Sequence, residues 1–116
     1  MTAANPNQET PPMRQIINKK IYDTTTAEHI HDTSNTSSFR DFKYERSALY
    51  RTPHGAWFVA GYGGASSRFA RTLSDGCRTE GEGIIVLTPE GALEELERDN
   101  ATEEIERHLS ALVTEA

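Results

Sequence analysis

The segment 49–70, LYRTPHGAWFVAGYGGASSRFA, constrains the fold of this chain most. Its 22 residues hold the only tryptophan, two tyrosines, two phenylalanines and four of the eight glycines. Residues 47–52 read as a strand. Thr52-Pro53-His54-Gly55 reads as a tight turn, because proline presets φ at the second position and glycine suits the fourth. Residues 56–61 read as the returning strand, with Trp57 and Val59 facing one way and Phe58 and Ala60 the other. A strand with large groups on both sides has to be covered on both sides, so it belongs at the centre of a sheet. Gly61-Tyr62-Gly63-Gly64 then reads as a bulge or a loop that ends the regular strand.

The rest of the chain supplies the cover. Residues 1–14 carry three prolines, two asparagines and little that is apolar, which predicts a disordered tail and a single domain over 15–116. Residues 15–23 read as one strand and 27–35 as another, paired as a hairpin across Thr24-Thr25-Thr26. Residues 33–38 are a polar loop. Residues 66–73 fit either a short strand or a helical turn, and 74–83 a plain loop, with a short apolar strand at 84–87. Thr88-Pro89-Glu90 is a helix start, with threonine at the cap, proline at the first helical position and glutamate near the positive end of the dipole. That helix runs to about Asp99 with Ala92, Leu93 and Leu96 inward. Asn100 and Glu103 form a capping-box pattern for a second helix, whose Ile105, Leu109, Leu112 and Val113 recur at helical spacing. The expected fold is α+β: a four- to five-stranded antiparallel sheet with a C-terminal helical hairpin on one face.

The net charge of −6 conceals an asymmetry. Between Arg40 and Arg71 six basic residues face two acidic ones; from Glu80 onward eleven acidic residues face only Arg98 and Arg107. Oppositely charged surfaces steer different partners. No apolar run approaches the roughly 20 residues that span a bilayer. Nor does a charged start precede an apolar stretch. A cytoplasmic protein without membrane contact is expected. Cys77 has no second cysteine to pair with and reads as a small loop residue. His29-x-His31 places two imidazoles on one face of a strand. Their spacing to His54, Cys77 and His108 matches no zinc signature, so no metal is expected. Gly61-x-Gly63-Gly64 follows a strand, as phosphate loops do, but no Lys-Ser/Thr pair or parallel α/β pattern follows it. Ser66, Ser67 and His54 lie in no nucleophile elbow, and the glutamates sit on a densely charged face where solvation keeps them ordinary. No catalytic residue and no cofactor is assigned.

Tyr44, Tyr50, Trp57, Tyr62 and Phe69 interleave with Arg46, Arg51 and Arg68. Three chemistries use that pattern: core packing under snorkelling arginines, a protein hot spot, and base stacking beside phosphate contacts. A pI near 5.2 weighs against a dedicated nucleic-acid binder. An array of carboxylates at Glu94, Glu95, Glu103 and Glu104 suits a basic groove built for phosphates, with Arg51, Tyr62 and Arg68 as a second contact near the glycines. The expected function is non-catalytic binding to a larger protein or nucleoprotein complex, in an oligomeric state the sequence leaves open. The alternative is a small nucleic-acid-contacting regulator that uses the aromatic and arginine face.

Two segments, KKIYDTTTAEHI and LYRTPHGAWFVAGYGG, followed by LTPEGALEEL, carry a resemblance. They are similar to a family of small, mostly uncharacterised bacterial and mobile-element proteins. The shared pattern is K-x-Y-D-T-x-T-A, then L-Y-x-T-x-x-G-x-W-F-x-x-G-x-G-G, then L-T-x-x-x-A. It is matched here by Lys20, Tyr22, Asp23, Thr24, Thr26 and Ala27, by Leu49, Tyr50, Thr52, Gly55, Trp57, Phe58, Gly61, Gly63 and Gly64, and by Leu87, Thr88 and Ala92. The long polar tail and the 74–83 loop depart from it. The family carries no established activity to transfer. Small acidic proteins from such settings include inhibitors of host defence complexes, and that analogy of size, charge and genomic habit makes an inhibitor of the anti-CRISPR type the more specific expectation.

Overall fold

The strand that carries Trp57 and Phe58 is central, as its two apolar faces require. The computed structural model describes residues 12–116. In chain order the elements are β1 (Arg14–Ile17), β2 (Lys20–Asp23), β3 (Glu28–Asp32), β4 (Glu45–Arg51), β5 (Trp57–Gly63), β6 (Arg71–Thr72), β7 (Arg78–Thr79), β8 (Gly81–Leu87), α1 (Pro89–Arg98) and α2 (Thr102–His108), followed by a 3₁₀ turn at Ser110–Leu112. The main sheet is antiparallel in the order β3-β4-β5-β8. On one face Leu49, Trp57 and Val59 pack with Ile30 against Ala92, Leu96 and Leu109 of the helical layer. On the other, Ala48, Tyr50, Phe58 and Ala60 pack against Tyr22 and Ile17 of the β1–β2 hairpin. The fold is therefore α+β, with the sheet sandwiched between the helices and a separate hairpin.

The order of pairing differs from the expected one. Residues 15–23 are two strands, joined at Asn18 and Lys19 with φ of 54° and 69°. Two consecutive positive φ values make the tight turn whose twist matches antiparallel strands. β1 and β2 then satisfy each other, Arg14 opposite Asp23 and Ile17 opposite Lys20. This leaves β3 to pair with β4, from Glu28 opposite Arg51 to Asp32 opposite Ala48. The tail expected over 1–14 lies outside the described residues as far as position 11. Met13 and Arg14 already belong to the hairpin layer, the Met13 amide donating to Thr24 Oγ1 at 2.9 Å.

The glycine run does not break β5. Its register holds through Tyr62 opposite Arg46 and Gly63 opposite Glu45 on one side, and through Gly63 opposite Gly81 on the other. These glycines permit close approach instead of a bend. A side chain at Gly61 would strike the Arg46 carbonyl and Ser47; one at Gly63 would strike Ser67 and the Tyr44 carbonyl. Downstream, β6 lies in the 66–73 segment and pairs with β7 inside the expected loop at 74–83, and β8 begins at Gly81, three residues before the apolar run.

The first helix starts as its sequence predicts, Thr88 Oγ1 accepting from the Gly91 amide at 3.0 Å. Asn100 does not open the second helix. It closes the first, in the left-handed region at φ 54°. The Asn100 amide donates to Glu97 O and the Ala101 amide to Leu96 O, which is the Schellman arrangement. The second helix begins one residue after Ala101, with no side-chain cap, and ends at His108. Leu112 and Val113 consequently fall beyond it and are exposed.

Candidate functional site

α1 and α2 sort their carboxylates into two classes. Glu94 and Glu103 are exposed, along with Glu90, Glu97 and Glu106. Among the described residues these five form no ion pair. Glu95 is buried. It accepts from Arg68 Nη1 at 2.8 Å, from Arg68 Nη2 at 3.0 Å and from Arg98 Nη2 at 2.7 Å. Arg68 is held at the same time by Glu45, with Nη2 to Oε2 at 2.8 Å. Glu104 is half-buried and lies 3.6 Å from Arg107. Arg68 and Glu95 therefore bind each other, tying the loop after β5 to β4 and α1. Burial alone would raise the Glu95 carboxyl. The hydrogen bonds and charge of Arg68, then of Arg98, outweigh it and hold the group below the usual carboxylate range. Burial likewise opposes the charge on Arg68, and its bonds to Glu95 and Glu45 more than restore it. The sequence carried a signal for this: Glu95 is three residues after Ala92 and one before Leu96, on the inward stripe.

Arg51 and Tyr62 are not brought together. Arg51 is opposite Trp57 and Tyr62 opposite Arg46, five positions apart along β5. An odd offset puts them on opposite faces, roughly 17 Å apart along the strand. The Arg51 guanidinium lies 5.5 Å from the centre of the Trp57 ring. His108 meets the same ring edge-on at 6.0 Å. Trp57 is 3% exposed, which withdraws it from base stacking, and Tyr50 stacks on Phe58 within the other core. The core reading of these two aromatics is the one realised.

His29 and His31 do not share a face. A bulge between them lets His29 pair with Tyr50 and His31 with the adjacent Leu49, so alternation is broken. His29 packs edge-on against Tyr50, and burial holds its imidazole below its ordinary value, neutral in the fold. His31 Nε2 lies 3.0 Å from Asp99 Oδ2 at the end of α1, linking the sheet to the helical layer. Among the described residues, no three His, Cys, Asp or Glu side chains gather as a metal site. Ser67 is buried, its hydroxyl donating to Gly64 O at 2.8 Å. Cys77 is exposed.

An open groove of about 760 Å³ lies at the glycine end of the sheet, walled by Tyr44, Tyr62 and Phe69 and edged by Arg71, Glu80 and Glu82. The Tyr44 hydroxyl donates to Glu80 Oε2 at 3.0 Å. Burial, then that bond and the charge of Glu80, raise the phenol above its ordinary value, so it stays a donor. Beside the groove a smaller hollow of about 260 Å³ shares Tyr44 and Glu80 and is bordered by Phe39 and Phe42. Those two rings are 61% and 72% exposed.

Among the described residues no helix is long and apolar enough to cross a membrane. Comparison with protein-family models, with curated proteins and with solved structures gives no match to this chain.

Proposed function

We propose that this chain is a non-catalytic binding protein whose outer α1–α2 face docks on a basic surface of a larger partner. The partner suggested by the charge asymmetry, and by analogy with small acidic inhibitors, is a nucleic-acid-processing defence complex, inhibited in the anti-CRISPR manner. The observation that supports this reading best is the sorting of carboxylates. Glu95 and Glu104 are turned toward arginines, whereas Glu90, Glu94, Glu97, Glu103 and Glu106 stay exposed and unpaired among the described residues. The scaffold beneath them is fixed by the Schellman closure at Asn100 and by the His31–Asp99 contact. A preorganised array of like charge avoids the cost of ordering on binding and speeds encounter with an oppositely charged groove. In a groove shaped for phosphates, such an array competes with nucleic acid directly.

The test is co-purification with candidate defence effectors at low and high salt. Wild type is retained at low salt and released at high salt. Glu94→Lys combined with Glu103→Lys abolishes the low-salt retention; low-salt retention equal to wild type contradicts the reading. Glu95 and Glu104 are left intact in that variant, since reversing them would break ion pairs of the fold. Phe39 and Phe42, exposed beside Arg40 and Lys43, favour a second reading as a nucleic-acid contact. Under that reading the same charge reversal strengthens attachment to nucleic acid instead.

A further inference from the structure

We propose that the groove walled by Tyr44, Tyr62 and Phe69 takes the guanidinium of an arginine side chain presented by the partner, an inference that rests on the chain being a macromolecular binder. The protein already solves this recognition problem once, internally. Arg68 lies 5.7 Å from the centre of the Phe69 ring and is clamped by two carboxylates, Glu45 and Glu95. The groove offers related ingredients without an occupant of its own chain among the described residues: the half-buried Tyr62 ring, its centre 6.4 Å from that of the buried Tyr44, and the carboxylates of Glu80 and Glu82. A planar cation gains from both, lying against the half-buried Tyr62 ring while donating to a carboxylate. Glu80 is preset for this: one oxygen is engaged by the Tyr44 hydroxyl, which leaves the other to accept. Arg71 stands at the edge and the charge of Arg46 also reaches Tyr44, so the carboxylates of Glu80 and Glu82 are what the lining offers an incoming guanidinium. The groove opens to solvent, which suits a side chain delivered from outside.

The experiment is a titration of the full chain with N-acetyl-arginine N-methylamide, followed by backbone amide NMR shifts at constant ionic strength. Saturable shifts are expected at Tyr62, Phe69, Gly81 and Glu82. The uncharged citrulline analogue should bind at least about tenfold more weakly. Tyr62→Leu should weaken binding about tenfold. Glu82→Gln, at an exposed position, should weaken it about threefold. Arg71→Gln should tighten it about threefold by removing the like charge. Absence of saturable shifts at those amides overturns the proposal. So does equal binding of the citrulline analogue, or binding unchanged in both Glu82→Gln and Tyr62→Leu. Glu94→Lys with Glu103→Lys should leave this titration unaltered, so failure here and failure of the acidic-face docking are separately visible.

Discussion

At the residue scale, Glu95 shows what position on a helix decides. The exposed glutamates of α1 differ from it only in which way the helix turns them. Their neighbour on the inward stripe is drawn into a network with Arg68, Arg98 and Glu45. Removing its charge leaves Arg68 short of one carboxylate. Glu95→Gln should therefore cost about 1–2 kcal/mol at neutral pH, less than breaking a fully buried pair because the Arg98 side is open to solvent. The pH dependence follows from the lowered carboxyl. Its stabilising contribution is complete above the ordinary carboxylate range and is lost as pH falls through the lower folded value. The gap between wild type and Glu95→Gln should consequently narrow on acidification, as chemical denaturation across an acid pH series would show; a gap that widens contradicts the pairing. His29 acts with the same sign at higher pH. Its neutral buried form makes the fold lose stability as pH drops below the ordinary imidazole value of 6.5.

At the element scale, the β1–β2 hairpin is where local chemistry and tertiary demand meet least comfortably. Asn18 tolerates a left-handed backbone, but Lys19 at φ 69° does so at a cost. Lys19→Gly should therefore stabilise the protein by about 0.5 kcal/mol, the relief of strain being partly offset by a freer unfolded chain. A lower melting temperature in that variant would show that the turn is not strained. The same turn explains why this part of the fold was hard to read. An Asn-Lys pair lacks the glycine that marks such turns, so two four-residue strands passed for one. By contrast β5 was legible, because Trp57, Phe58, Val59 and Ala60 alternate between two apolar faces and only a central strand accepts that. The start of α1 was legible from Thr88 and Pro89. The role of Asn100 was not, since asparagine serves both as a cap that opens a helix and as the left-handed residue that closes one. The bulge between His29 and His31 left no mark in the sequence, and it alone separates the two imidazoles.

At the scale of the whole molecule, the charge asymmetry was readable from residue counts, but not which charges remain available. Arg68 and Glu95 lie 27 positions apart, and only the packing of α1 on the sheet makes them partners. What remains after such pairs are removed is an exposed acidic helical face and, at the glycine end of the sheet, an aromatic groove with carboxylates at its edge. On the proposed reading, together they offer a basic partner more than one point of contact. The most direct test is competition: titrate the protein into a purified nucleic-acid-processing defence effector loaded with labelled nucleic acid, and measure displacement. Wild type should displace the nucleic acid, with displacement fading as salt rises, and Glu94→Lys with Glu103→Lys should displace none. Equal displacement by the reversed variant, or displacement indifferent to salt, would contradict docking through the acidic face.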